Sequence, residues 1–328
     1  MPIDWSRFAE IITAGKHFLL TSHMRPDCDA LGSELGMAGV LEALGKQVTI
    51  VNGQPTPPHL AFLDAKCRIY ALGEDIDRSD LESVDVLMVL DTSAWVQLGP
   101  MQEILRATSA KKLVLDHHVS EDNLGAQMFK DPDAESTGRL VVEAAEALGV
   151  PLSQPIAEPL LAAIATDTGW FRFSSVTGAT HRAVAKLLDA GARPQELYTS
   201  LYEQDTFPRL LLRGRTMSAA ASEEKGRLIY SQVTIEDFAE TGTQRSDTED
   251  IINMLFSVAG TEVAIMFIDQ DDDNVKASLR SRGRIDVRAV AEEFGGGGHR
   301  AAAGVMLKGP MERAKSVVVD AVRKAMRQ

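Results

Sequence analysis

Four short, nearly continuous apolar runs limit most strongly what this chain can fold into: HFLLTSH (17–23), QVTIVN (47–52), DVLMVLD (85–91) and KLVLDHH (112–118). Strands without polar alternation need cover on both faces, the condition of a parallel sheet held between helices. Around GSELGMAGVLEALG, between the first two runs, Leu31, Leu35, Ala38, Leu41 and Leu44 recur at three- and four-residue steps, and Gly45 ends the pattern. That is a βαβ unit. Further helices are expected at 137–148, 156–168 and 179–190, each bordered by Gly or Pro. The first 192 residues therefore read as one α/β domain, followed by an Arg-rich helical connector over 193–220. Residues 221–328 read as a smaller α+β domain, with strands at 227–233, 262–269 and 274–281 and helices at 286–294 and 310–326. The acidic stretch DQDDDN (269–274) lacks the glycine and distal glutamate of a calcium loop and suits a solvated hairpin turn.

With 45% hydrophobic and 25% charged residues, composition argues against disorder. No apolar run is long enough to span a bilayer, and MPIDWSRFAE lacks the layout of a signal peptide, so a cytoplasmic protein is expected. The two cysteines, Cys28 and Cys67, have no framework spacing, which excludes a disulfide scaffold or thiolate zinc site; Cys28 does lie between Asp27 and Asp29. A formal net charge of −13 disfavours binding along a long duplex but permits a short anionic ligand where cations gather.

Acids and imidazoles fall where the apolar runs end. His23 closes the first run, Asp91 the third, and Asp116, His117 and His118 the fourth. Ligands of open α/β sheets bind outside the carboxyl ends of the strands, so these side chains should converge. In HMRPDCDALGS (23–33), His23, Asp27 and Asp29 put three donors on one loop, and Gly32 and Ser33 open a helix. Asp167, in AAIATDTGWF, ends an apolar helix where a carboxylate has no packing use. Singly, Asp27, Asp29 and Asp91 would suit helix caps and His117 a satisfied core histidine. Jointly they would repel one another on burial unless cations sit among them, and hard carboxylates with imidazoles suit Mn²⁺, Mg²⁺, Fe²⁺ or Zn²⁺.

In that order, HMRPDCDALGS, VLDTS, LDHH and ATDTGWF resemble the four motifs of the DHH phosphoesterase family, and SLRSRGRIDVRAVAEEFGGGGHRAAAG resembles its DHHA1 nucleic-acid-binding domain. The resemblance implies a two-metal site, usually filled by Mn²⁺. His23, Asp27 and Asp91 would hold one ion, and Asp29, Asp91, His117 and Asp167 the other, with Asp91 as the bridge. Asp116 would orient an imidazole and His118 would contact the scissile phosphate, while a hydroxide activated by both ions attacks phosphorus.

In the C-terminal part, GGGGH (295–299) follows a helix with Val287, Val290, Ala291 and Phe294 on its buried stripe. The glycines can end that helix and allow close backbone approach to a ligand. His299 and Arg300 fall beside Arg280, Arg282, Arg284 and Arg288, a local cation cluster that favours a terminal phosphate or short phosphodiester. By resemblance, Gly296, Gly297, Gly298, His299, Arg300 and Arg280 bind substrate across a cleft between the two domains. The two-domain length, together with TDTGWFRFSSVTGATHRAVAKLLDAGA, is most similar to the stand-alone members that degrade short RNA oligonucleotides to mononucleotides and cleave 3′-phosphoadenosine 5′-phosphate (pAp) to AMP. Cyclic-di-AMP or pApA phosphodiesterase activity remains an alternative, as does a nucleotide-binding protein without catalysis. Many relatives are dimers, so a homodimer is a further expectation. Arg139 departs from the subgroup pattern after DAEST, and its role, like those of Thr168 and Arg172, stays open.

Overall fold

The computed structural model describes residues 3–81, 83–270 and 272–327. They form two units, divided between residues 204 and 205. In the first, six parallel strands lie in the order β3-β2-β1-β4-β5-β6: β1 (His17–Thr21), β2 (Gln47–Asn52), β3 (Ile69–Ala71), β4 (Val86–Leu90), β5 (Lys111–Asp116) and β6 (Gln127–Lys130). All five residues of β4 are buried, as expected of a strand covered on both faces. The two short outer strands, β3 and β6, lack an apolar run long enough to mark them in the sequence.

The helices of this unit are α1 (Trp5–Ala14), α2 (Cys28–Ala43), α3 (Met101–Ala107), α4 (Thr137–Ala147), α5 (Gln154–Asp167), α6 (Gly178–Asp189) and α7 (Pro194–Tyr202). α2 is buried along most of its length and runs antiparallel against α5. Glycine makes that approach possible: a Cβ on Gly32 would lie 2.3 Å from the Pro159 carbonyl oxygen, and one on Gly36 would lie 2.4 Å from Leu160. The pairing brings the start of α2, with Asp29, to the end of α5, with Asp167.

The second unit begins with α8 (Phe207–Ser218), so the stretch expected as one helical connector is divided. α7 packs with the first unit, while α8 places Leu212 in the core of the second. A mixed sheet ordered β11-β12-β10-β9-β8-β7 follows, from β7 (Ala221–Glu223), β8 (Leu228–Val233), β9 (Val263–Asp269), β10 (Asn274–Ser281), β11 (Gly297–His299) and β12 (Ala302–Lys308). α9 (Ile235–Thr241) and α10 (Ile251–Phe256) join α8 on one face, where Ile229, Ala264 and Met266 are buried. α11 (Val287–Glu292) and α12 (Met311–Ala325) cover the other, over Val275, Ala277 and Leu279. The acidic stretch 269–274 connects the antiparallel strands β9 and β10, with Asp271 outside the described residues.

Candidate metal centre

At the carboxyl end of the parallel sheet the four motif segments meet. Asp27 caps α2, accepting hydrogen bonds on Oδ1 from the amides of Asp29 (2.9 Å) and Ala30 (3.1 Å). Asp29 is 2% exposed and lies against the start of α4, where the amides of Thr137 (2.7 Å) and Gly138 (2.8 Å) donate to its two oxygens. Those are unpaired first-turn donors of a helix, a natural seat for a carboxylate. A Cβ on Gly138 would meet Ala163 at 2.5 Å and the Asp29 oxygen at 3.3 Å, so the position demands glycine. Asp91 follows β4 with φ of 63°, a costly conformation for a non-glycine residue, and accepts a hydrogen bond on Oδ1 from the Thr137 hydroxyl at 2.9 Å.

The imidazoles are oriented by the backbone. His23 Nδ1 donates to the Met24 carbonyl (3.0 Å) and His117 Nδ1 to the Ala134 carbonyl (3.1 Å), which turns each neutral Nε2 lone pair toward carboxylates. His23 Nε2 lies 3.3 Å from Asp91 Oδ2 and 3.9 Å from Asp27 Oδ1. His117 Nε2 lies 3.5 Å from Asp91 Oδ1 and 3.6 Å from an oxygen of both Asp29 and Asp167. Three donor groups result among the described residues, His23–Asp27–Asp91, Asp29–His117–Asp167 and Asp91–His117–His118; Asp91 Oδ2 faces His23 and Oδ1 faces His117.

The electrostatics favour a cation here. Burial, followed by repulsion from Asp91 and Asp167, pushes the Asp29 carboxyl well above its ordinary range despite the α4 amides. Burial and then Asp27 do the same to Asp91. Burial also raises Asp167, against the opposing pull of His117. Lone pairs facing lone pairs at 3.3–3.6 Å, on oxygen and imidazole donors, suit divalent ions held about 2.0–2.2 Å from each ligand. Burial and the nearby Asp27 charge push the buried Cys28 thiol up to about 12.

Asp116 stands behind the group and serves His118. It accepts from His118 Nδ1 at 2.8 Å and from the Ser93 hydroxyl at 2.7 Å, and Lys130 Nζ lies 3.5 Å away. Burial alone would raise the Asp116 carboxyl, but the His118 and Ser93 hydrogen bonds outweigh it and hold it low. The same bond raises His118, whose side chain is 44% exposed and so presents the ring toward solvent. Ser93, Lys130, Thr137 and the Gly138 amide escaped sequence reasoning; DTS and DAEST contain two of them, Ser93 and Thr137, without marking their partners. Arg139 is 8% exposed and enclosed by Glu135 (2.8 Å), Glu143 and Asp131 (3.5 Å). It is occupied within the fold and braces the segment that carries Ala134 and Thr137.

In the second unit, β-sheet register aligns the cations. Arg280 on β10 is opposite Ala302 on β12, which is opposite His299 on β11; in the next row Ser278, Gly304 and Gly297 align likewise. On the face that α8–α10 cover over β8 and β9, the β10–β12–β11 part of the sheet thus carries partly exposed small residues between Arg280 and His299. Neither side chain has a carboxylate partner among the described residues, and Arg300 uses only Nε, on the Gly283 carbonyl at 3.0 Å. The other arginines of the expected cluster are engaged: Arg282 with the Thr261 and Phe256 carbonyls, Arg284 with Glu262, Arg288 with Asp286 and Glu292. The glycines divide their work. Gly295 (φ 79°) follows the last turn of α11, whereas a Cβ on Gly298 would meet the Ala302 carbonyl at 2.5 Å, so that glycine serves strand pairing.

Comparison with known proteins agrees with this geometry. The DHH family, N-terminal domain, matches residues 17–164, and the DHHA1 domain matches residues 225–328. The bifunctional oligoribonuclease and PAP phosphatase NrnA of Thermus thermophilus is 31% identical over 99% of this chain and 96% of its own length. The Bacillus subtilis protein of the same description is 27% identical over 88% of both chains. The crystal structure of an exopolyphosphatase-related protein from Bacteroides fragilis covers 98% of this chain and 95% of its own, with a TM-score of 0.82 and 25% identity. Sharing both domains in order, and close to a third of its residues along nearly the full length of a relative, this chain belongs to the DHH family of phosphoesterases.

Proposed function

We propose that this chain hydrolyses very short RNA to mononucleotides and pAp to AMP, using two divalent ions, most naturally Mn²⁺. The observation that carries the reading is the division of Asp91, with Oδ2 facing His23 and Oδ1 facing His117. The oligoribonuclease and PAP phosphatase activity of the Thermus thermophilus relative supports the substrate class. His23, Asp27 and Asp91 would hold one ion, and Asp29, Asp91, His117 and Asp167 the other. Such a pair supplies Lewis acidity toward phosphoryl oxygens and a competent nucleophile at neutral pH.

The chain's own residues do the rest. The α4 amides keep Asp29 ionisable and in place. The Met24 and Ala134 carbonyls keep His23 and His117 in the tautomer with Nε2 free. Asp116 orients His118 through Nδ1 and raises the ring's affinity for a proton, which suits it to donate to a phosphate oxygen as negative charge builds there. Arg280, His299 and Arg300 supply affinity for the nucleotide's phosphates from the β10–β12–β11 part of the second sheet. Among the described residues no helix is long and apolar enough to cross a membrane.

The test is product analysis with Mn²⁺, offering pAp, RNA of two to five nucleotides, pApA and cyclic-di-AMP at matched concentration. AMP from pAp and mononucleotides from short RNA are the expected products. Dominant turnover of the diadenylates would move the enzyme to second-messenger clearance, and no turnover of any substrate would overturn the phosphoesterase reading.

A further inference from the structure

Immediately after Asp167 the backbone does something bulky residues avoid. Gly169, Trp170 and Phe171 take φ values of 56°, 59° and 64° in succession. Left-handed conformations crowd the Cβ of any L-residue, so two aromatics in a row persist only where the surroundings enforce them, and such strain gathers at functional sites. Buried Thr168 enforces it: its hydroxyl accepts from the Phe171 amide (3.1 Å), and its carbonyl accepts from the amides of Arg172 (3.0 Å) and Phe173 (3.1 Å). The Trp170 amide donates back to the Ala165 carbonyl at 2.6 Å, which keeps Trp170 beside the last turn of α5 and therefore beside Asp167.

The turn splits the two rings. Phe171 goes inward, packing on the core and on His181 at 5.6 Å. Trp170 goes to α7, where it meets Tyr198 at 5.0 Å and Tyr202 at 5.6 Å; the tyrosines lie 4.9 Å apart. Interplanar angles of 75°, 86° and 51° mean that no pair is stacked in parallel; the rings meet edge to face or tilted. Tyr198 and Tyr202 are 41% and 50% exposed, a large aromatic surface to leave in water. Arg172 is exposed, spends Nε on the Gly169 carbonyl at 2.7 Å, and has no carboxylate partner among the described residues.

We infer that Trp170, Tyr198 and Tyr202 form a stacking platform for a nucleobase of the substrate, with Arg172 as a phosphate contact at its edge. The inference rests on the phosphoesterase reading for the identity of the ligand. It adds a base-recognition subsite adjoining the carboxylate–imidazole group, built from the Asp167 turn and α7. Aromatic stacking suits a degradative enzyme because every base has a π-face, so affinity is gained without a sequence preference.

A protein carrying W5F and W95F keeps Trp170 as its only tryptophan. Its fluorescence in EDTA should be quenched saturably by pAp and by ApA, and not by ribose 5-phosphate; Y202L in that background should weaken the quenching about tenfold or more. In parallel, W170A and Y202L should lose at least about tenfold more kcat/KM on pAp than on ribose 3,5-bisphosphate, and W170F should recover most of the difference. Wild-type turnover of pAp without base-dependent quenching, or with equal losses on both substrates, overturns the platform and leaves the phosphoesterase reading intact. Quenching by base-bearing ligands in a protein that turns nothing over supports the platform and overturns that reading.

Discussion

Glu34 lies on α2 with no exposed surface, one turn beyond the Asp29 loop. Its Oε2 accepts from the Asn52 side-chain amide at 3.0 Å, Oε1 has no partner, and Asn52 in turn accepts from the Ser22 amide beside His23. Burial pushes the Glu34 carboxyl up to about 7 from an ordinary 4.5, against the hydrogen bond from Asn52. Between those two values the folded chain binds the proton more tightly than the unfolded chain does, so stability is fullest below pH 4.5 and falls as pH rises to 7. At 1.36 kcal/mol per unit, the loss attributable to this one group is about 3 kcal/mol. Glu34→Gln keeps an acceptor for Asn52 and removes the proton. Relative to wild type, the variant should therefore gain about 3 kcal/mol between pH 4.5 and pH 7.5. Urea unfolding followed by tryptophan fluorescence reads the relevant unit alone, because Trp5, Trp95 and Trp170 all lie in it. A wild-type-minus-variant difference that stays constant across that range would show that Glu34 does not titrate there.

Other consequences are equally direct. Asp91→Asn should cost at least about a thousandfold in kcat and reduce the bound metal from two ions to one or none by elemental analysis; a variant retaining most activity would refute the shared-carboxylate geometry. Gly138→Ala drives a methyl toward Ala163 and Asp29. Calorimetric titration with Mn²⁺ should show affinity about 10–100-fold weaker, and unchanged affinity would mean the α4 amides do not position Asp29. Arg300→Ala should raise KM for pAp well beyond its effect on a small chromogenic phosphodiester, and equal effects would place Arg300 in the fold. At pH 8, iodoacetamide should alkylate exposed Cys67 within minutes and leave Cys28, with its thiol near 12, largely unmodified in the folded protein as read by peptide mass.

The apolar runs ending in His23, Asp91 and Asp116–His118 were enough to anticipate the parallel sheet and the end of it where acids and imidazoles gather, because strand polarity fixes where side chains emerge; Asp27 and Asp29 are read from a loop, Asp167 from a helix end, and the division of donors into groups from the family resemblance. Periodicity likewise placed α2, α4, α5 and α6 within a few residues of their ends. Sequence could not show that Gly32 and Gly36 close α2 onto α5, that the amides of Thr137 and Gly138 receive a carboxylate over a hundred residues upstream, or that Lys130 stands behind Asp116. Nor could it sort the arginines: adjacency suggested a single cluster, whereas packing engages Arg282, Arg284 and Arg288 and leaves Arg280 aligned with His299 across Ala302. Donor types and their order are local properties of a chain. Which carboxylate shares which imidazole, which cation stays unpaired, and which aromatic ring is left facing water depend on segments brought together from far apart, and those are decided only when the helices and sheets pack.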